Sequence, residues 1–350
     1  MHRLFINIAP LTTMQLPVMA EVFYAKNVDH ILEFFNKLEK GVKPIILGGG
    51  SNLIISPEIK NRPILKMEIM GIEIISNERD FVLIKLGAGE NWDNFVSRAC
   101  ATNLSGIEAM SAIPGTVGAT PVQNVGAYGQ EVKDTILNVE VFDIEDKKIK
   151  ILTNVDCKFS YRDSIFKNEG KNKFVIISVT FKLLKQFPEI PKYVDVKKYF
   201  IENNINNPSL IQIRDAIINI RHTKLPDPKI IFNTGSFFKN PIIDKNEALK
   251  IKESYLDMPS FTVISNANIE NKSSNSIYEQ VKIPAGWLIE KVGMKGYDFG
   301  KVATYKNNAI VLINKGDASY QDIINAKDKI IASVYEKFGI TLETEPEFVN

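Results

Sequence analysis

The stretch Ile113–Gly129, reading IPGTVGATPVQNVGAYG, restricts most severely what this chain can fold into. It carries Gly115, Gly118, Gly126 and Gly129, prolines at 114 and 121, and no charged residue. Residues this small cannot fill a core with side chains, but they let a ligand or a second stretch of main chain approach closely. The bare amides of such a loop suit an anionic group such as a diphosphate. One glycine alone reads as a tight turn. Four, with Gln123, Asn124 and Tyr128 among them, read as a cofactor loop.

Two earlier segments repeat the pattern. A short apolar strand at Pro44–Leu47 feeds Gly48, Gly49, Gly50, Ser51 and Asn52, and the strand formers Phe81–Leu86 end on Gly87-Ala88-Gly89-Glu90-Asn91. The first of these does not match the standard phosphate motifs, since no lysine follows as in a P-loop and no GxGxxG spacing is present. Each loop singly can be a turn. Together they predict an extended, multiply charged ligand, and a dinucleotide such as FAD fits better than a mononucleotide.

Between these loops the pattern is mixed. Val28, Ile31, Leu32 and Phe35 predict a helix over Val28–Leu38 capped by Asn27, and Trp92, Phe95, Val96 and Ala99 mark a second. Leu137–Asp143 alternates and pairs with Lys147–Leu152 as a hairpin, and Phe174–Leu183 is a further strand. Ile211–Ile220 predicts a helix ending at Arg221, followed by the proline-punctuated connection HTKLPDPK. Residues 265–276 (SNANIENKSSNS) read as a polar surface loop. Asn308–Asn314 is a buried strand candidate, and Ser319 with Asp322 caps a helix that stops at Phe338-Gly339. Strands outnumber helices without regular βαβ alternation, which predicts α+β.

Composition excludes several classes. With 45% apolar and 24% charged residues and a net charge of +2, the chain is an ordinary globular protein without the basic runs that track nucleic acid. Its 2 cysteines, Cys100 and Cys157, match no metal spacing, and 3 histidines argue against a histidine-built metal site. No apolar run reaches the roughly 18 residues of a membrane span. The N-terminus is a poor signal peptide. The expectation is a cytoplasmic monomer with no metal, no nucleic acid and no membrane partner.

Two segments invite chemistry. In Tyr161–Lys167 (YRDSIFK), Arg162 either pairs with Asp163 on an exposed strand end or offers a fork to a carboxylate or enolate oxygen. Ser236, between Gly235 and Phe237-Phe238, either caps a turn or acts as proton donor to a strong base such as a carbanion. It lacks the pattern of a nucleophile with a histidine base, for which His222 is the one candidate.

Assembled, the strings LGGGSNLI (47–54), GAGENW (87–92), IPGTVGATPVQNVGAYG, YRDSIFK, KLPDP (224–228), GSFFKNP (235–241) and AGWLIEKVGMKG (285–296) resemble the UDP-N-acetylenolpyruvoylglucosamine reductase family over nearly the whole length. The resemblance implies a flavin-binding fold of the vanillyl-alcohol-oxidase (PCMH) type. Residues 1–69 and 70–225 would be FAD-binding subdomains, 226–339 a substrate domain, and the tail 340–350 would return to the first. FAD would be held non-covalently through Gly48, Gly49, Gly50, Ser51, Asn52, Gly115, Gly118, Gln123, Asn124, Gly126, Ala127 and Tyr128, with NADPH as co-substrate. Hydride would reach C3 of the enolpyruvyl ether in peptidoglycan precursor synthesis. Arg162 would stabilise the enolic carboxylate, Ser236 would protonate C2, and Glu345 of the tail would assist, with Glu347 as its rival. Tyr193, in a tyrosine-bearing insertion, Lys224 and Asn240 would bind the nucleotide portion. The chain departs from the family at Thr12-Thr13-Met14 and at Asn307-Asn308. Two alternatives are an oxidase on the same fold and a non-catalytic flavin or sugar-nucleotide binder. Oxidases of this kind often anchor flavin through His or Cys, which no glycine loop here contains.

Overall fold

The computed structural model describes residues 3–59, 61–186, 188–263 and 279–350, so the polar stretch 265–276 lies outside the described residues. The chain forms two compact units. The first comprises Met1–Thr12, Val18–Ser51 and Glu58–Thr223, and the second Thr13–Pro17, Asn52–Pro57 and Lys224–Asn350.

Among the described residues, the first unit holds two larger sheets and a two-stranded pairing of Gly126–Ala127 with Gln130–Glu131. One runs in the order Arg3–Asn7, Met19–Ala25, Ile64–Met67, Ile45–Leu47. Its first pair is antiparallel and the other two are parallel. The second sheet is antiparallel throughout, in the order Lys148–Thr153, Ile136–Asp143, Phe174–Leu184, Phe81–Gly87, Ile72–Asn77. The predicted hairpin is therefore present, with Asn138 opposite Thr153 and Asp143 opposite Lys148. Helix α1 (Val28–Lys37) buries Ile31, Phe34 and Phe35, and the Asn27 side chain accepts the His30 amide at its start. Helix α2 (Trp92–Ala101) is capped by Asn91 and buries Trp92, Phe95, Val96, Ala99 and Cys100. Trp92 packs its ring 5.8 Å from Phe181 and donates its indole N–H to the Met110 carbonyl, so its polar atom is satisfied inside the core. Both cysteines are buried free thiols, and burial pushes each up to about 12.

Two further helices, α3 (Val194–Glu202) and α4 (Leu210–Lys224), share a small core of Val196, Phe200, Ile213, Ala216, Ile217 and Ile220. The sequence reading stopped α4 at Arg221. The helix in fact carries through His222 and Thr223 to Lys224, because a proline disfavours helical angles in the residue before it, and that residue is Leu225, ahead of Pro226.

In the second unit, Asn308–Asn314 lies between Phe232–Ser236 and Val302–Tyr305 in an antiparallel sheet. A smaller sheet orders Ile242–Asp244, Gln280–Lys282 and Phe261–Thr262. Helices α5 (Lys245–Ser254), α6 (Ala285–Lys291) and α7 (Tyr320–Phe338) complete it, and the core gathers Phe237, Phe238, Leu288, Ile289, Ile323 and Ile330. Helix α7 follows its sequence code at both ends. Ser319 and Asp322 form a reciprocal capping box, and Gly339 stops the helix at φ +69°. The C-terminal strand Glu347–Val349 pairs parallel with Leu53–Ile55. The architecture is α+β, as the pattern predicted. Among the described residues, no helix is long and apolar enough to cross a membrane.

Candidate active site

The three glycine loops meet in the first unit. The 113–118 loop is bonded to the 87–92 loop on one side: Val117 donates to Glu90, Gly118 to Ala88 and Trp92 to Gly115, at 2.8, 3.0 and 3.2 Å. On the other side the Ser51 hydroxyl donates to the Pro114 carbonyl at 3.1 Å. Glycine is required where the loops touch. A Cβ on Gly49 would lie 2.6 Å from the Gly115 Cα, and one on Gly118 would lie 2.5 Å from the Ala88 Cβ. Beside this contact the Thr116 hydroxyl is buried without a hydrogen-bond partner among the described residues, 2.7 Å from where a Gly48 Cβ would stand. A buried hydroxyl left unsatisfied is costly, and a ligand phosphate oxygen would satisfy it. The cradle and the orphan hydroxyl both fit the diphosphate of FAD.

Of the remaining residues assigned to the flavin, Asn124 has its side chain engaged within the protein. It donates to Glu131 and to the Ser160 carbonyl at 2.9 and 3.0 Å and accepts the Lys133 amide. Gly126 and Ala127 pair with Gln130 and Glu131 around a tight turn at Tyr128-Gly129, whose φ values of +49° and +92° suit a primed hairpin turn.

The YRDSIFK segment is a turn, not a strand end. Arg162 sits at φ +56°, Ser160 and Asp163 bridge across it, and a short 3-10 helix covers Ile165–Lys167. A left-handed arginine costs about 1 kcal/mol or more and persists where its surroundings fix it. Here the guanidinium donates to the Gly126 carbonyl at 2.9 Å and lies 5.4 Å from the Tyr161 ring centre. Asp163 accepts from Asn168 through both carboxylate oxygens.

Sequence reasoning passed over Arg221. From α4 it lies within electrostatic reach of Arg162 and Tyr128. Burial holds its guanidinium below the usual arginine range, Tyr128 and Asp93 act against the shift, and Arg162 acts with it. Burial also raises the Tyr128 phenol, which the Arg221 charge opposes. The Tyr193 ring stands 5.5 Å from Tyr128, edge to face, at the start of α3. Two guanidinium groups in a partly desolvated setting have the charge that suits a carboxylate or enolate. In the sequence Arg221 follows Ile220 at the end of an isoleucine-rich helical pattern, but its setting beside Arg162 and Tyr128 appears only in the fold.

The second unit positions the other candidates. Gly235 adopts φ +72° with its amide bonded to the Asn233 side chain, and the sheet register slips between Asn233 and Ser236. The bulge leaves Ser236 half-buried beside the fully buried Phe237 and Phe238. The tail runs along this segment. Glu345 donates its amide to the Phe237 carbonyl at 2.9 Å, Lys239 donates to Glu343 at 2.8 Å, and Phe238 bridges to Thr344. Asn52 donates its side-chain amide to the Glu345 carbonyl at 3.2 Å, while its own carbonyl accepts from Glu347 at 3.0 Å. Glu345 is thus bonded to the residue that follows Ser236, whereas Glu347 belongs to the strand against Leu53. Asn240 accepts the Ala285 amide at 2.9 Å and so caps α6. Lys224 is the exposed last residue of α4, His222 is exposed on the same helix, and Asn307 donates to the Tyr305 hydroxyl.

Comparisons with known proteins bear on the family and the fold. A family model described as UDP-N-acetylenolpyruvoylglucosamine reductase, C-terminal domain, matches residues 227–349, and one described as FAD binding domain matches residues 19–152. The UDP-N-acetylenolpyruvoylglucosamine reductase of Flavobacterium johnsoniae is 41% identical over 334 residues, covering 95% of each chain. That of Neisseria gonorrhoeae is 37% identical, covering 98% of this chain and 96% of its own. That of Bdellovibrio bacteriovorus is 38% identical, covering 97% of each. The crystal structure of UDP-N-acetylenolpyruvylglucosamine reductase from Thermus caldophilus matches with a TM-score of 0.64 at 20% identity, over 100% of this chain and 98% of that one, a likeness of fold.

Proposed function

The chain belongs to the UDP-N-acetylenolpyruvoylglucosamine reductase family, and on that premise we propose that it reduces the enolpyruvyl group of UDP-N-acetylglucosamine enolpyruvate with FAD as cofactor and NADPH as electron donor. The product is UDP-N-acetylmuramate, a precursor of peptidoglycan, and the setting is the cytoplasm with the protein as a monomer. When bound, FAD supplies two-electron hydride chemistry between NADPH and the enolpyruvyl double bond.

The chain's own residues handle the charge and the proton. Addition of hydride at C3 puts a second negative charge on C2 and the adjoining carboxylate, so fixed cations stabilise that state more than the singly charged ground state. Arg162, held in its turn by Gly126, is assigned this role, with Arg221 adding to the same positive field. Ser236 donates its hydroxyl proton to C2, and Glu345 supports it through hydrogen bonding. Tyr193, Lys224 and Asn240 are assigned to the nucleotide portion. The observation that supports the residue-level reading is the main-chain bond from the Glu345 amide to Phe237, the residue after Ser236.

The two half-reactions test it. Ser236→Ala should keep flavin bleaching by NADPH and lose most of the reoxidation by the enolpyruvyl sugar nucleotide. If both half-reactions run unchanged in that variant, Ser236 is not the proton donor.

A further inference from the structure

Lys66 occupies a position where a lysine is expensive. It lies in Ile64–Met67, an inner strand of the four-stranded sheet, with parallel partners on both sides: Tyr24 on one and Leu47 on the other. The other three residues of the strand, Ile64, Leu65 and Met67, are buried. Strands flanked in this way are ordinarily apolar along their length. The Lys66 stem runs through this layer, and its ammonium donates to the carbonyl of Gly48, the first residue of the glycine loop. Burial pulls the amine below the usual lysine range, and the nearby Glu68 charge offsets this in part. Among the described residues the ammonium has that one neutral acceptor and no ion-pair partner. An ammonium has three protons to donate, so the half-buried Lys66 keeps two for a further acceptor.

A second unmatched group adjoins it. The orphan hydroxyl of Thr116 faces the same residue, Gly48, from the neighbouring loop. A cation short of acceptors and a buried hydroxyl without a partner, both at Gly48, are complementary to one anion with several oxygens. We propose that Lys66 and Thr116 are diphosphate ligands of the bound FAD, with Lys66 supplying the positive charge that the glycine loops themselves lack. The proposal rests on the FAD reading of the site. In the 48–52 and 113–129 loops no basic residue occurs, so their amides offer dipoles only. Lys66 reaches the cradle from the sheet beneath it, which is why no loop motif announces it.

The test uses the full-length flavoprotein. FAD release on dilution is followed by flavin fluorescence at low and high potassium chloride for the unsubstituted protein, Lys66→Met and Lys66→Arg. A charge-assisted contact of this kind is worth roughly 10- to 100-fold in the dissociation constant. Lys66→Met should therefore weaken FAD by about that factor at low salt and show a shallower salt dependence, since one charge pair is gone. Lys66→Arg should hold FAD within about threefold, as it keeps the charge. If Lys66→Met keeps its affinity, or loses it equally at every salt concentration, Lys66 is only a strut under Gly48 and the proposal falls. Should Lys66→Met fail to fold, Thr116→Val reads the same phosphate contact from the other loop and is expected to weaken FAD with no change in salt dependence. Flavin affinity unchanged in Thr116→Val would overturn its part. An unsubstituted protein that binds no FAD would overturn the FAD reading itself, and is told apart because it fails before any substitution is made.

Discussion

Replacing Gly49 with alanine isolates the closest contact in the flavin cradle. The added Cβ would stand 2.6 Å from the Gly115 Cα, 3.1 Å from its carbonyl carbon and 3.3 Å from the Thr116 nitrogen. Carbon atoms pack at about 3.5–4.0 Å, so the two loops must part by about 1 Å. All three obstructing atoms are main chain, and none can swing away as a side-chain tip would. Their loop is fastened by Ser51 to Pro114, Trp92 to Gly115 and Val117 to Glu90. Overpacking of this kind costs about 1–3 kcal/mol. Gly49 does not lie in the left-handed region, so alanine has no dihedral penalty there and the whole effect is steric. A displacement of about 1 Å also takes the loop amides out of hydrogen-bonding range of a phosphate. Gly49→Ala should therefore emerge from gel filtration with less than about a tenth of its flavin and a lower thermal midpoint. The control is Gly286→Ala in α6, where the new Cβ meets nothing closer than 3.5 Å and an alanine favours the helix. Full flavin content and an unchanged midpoint in Gly49→Ala would refute the loop-contact reasoning.

Two further outcomes are expected. Asp93 accepts both Arg214 nitrogens, at 2.6 and 2.9 Å, and the amide of Ala112, which opens the glycine stretch at φ +57°. Burial raises the Asp93 carboxyl, but the Arg214 and Ala112 hydrogen bonds outweigh it and hold it below the usual range. Its contribution is therefore full above the unfolded value of about 4 and is lost as pH falls through the lower folded value. Asp93→Asn should cost about 1–3 kcal/mol at neutral pH, and its urea midpoint should fall less steeply than that of the parent protein below pH of about 4. Parallel pH profiles would show that Asp93 is not the group responsible. In the tail, Glu345→Gln should slow flavin reoxidation by substrate more than Glu347→Gln does, and the reverse order measured by stopped flow would move the assignment to Glu347.

Local codes were read correctly because they are carried by adjacent residues. Asn27 before Val28, the alternation of 137–143 and its hairpin partner, and the Ser319–Asp322 box each specify their element within a few positions. The glycine loops were legible because their composition excludes other uses, although the reason each glycine is needed, such as Gly49 against Gly115, lies 66 residues away along the chain. Pairings across long separations left no local mark. The Asp93–Arg214 ion pair spans 121 residues, and the parallel pairing of Glu347–Val349 with Leu53–Ile55 turned what reads as an acidic tail into a strand. Helix α3 was not read from the sequence, because its buried positions, Val196 and Phe200, make one turn of contact with α4 and not a longer stripe. Lys66 and Arg221 were missed for a common reason. A single basic residue in an apolar element has no motif, and its significance appears only when the acceptors around it are known.

The most direct test of the whole account is an anaerobic spectral titration of the purified protein. The flavin absorbance should bleach on addition of NADPH and return stoichiometrically on addition of UDP-N-acetylglucosamine enolpyruvate, with UDP-N-acetylmuramate formed in equal amount. A flavin that bleaches with NADPH and stays reduced when that sugar nucleotide is added would contradict the account.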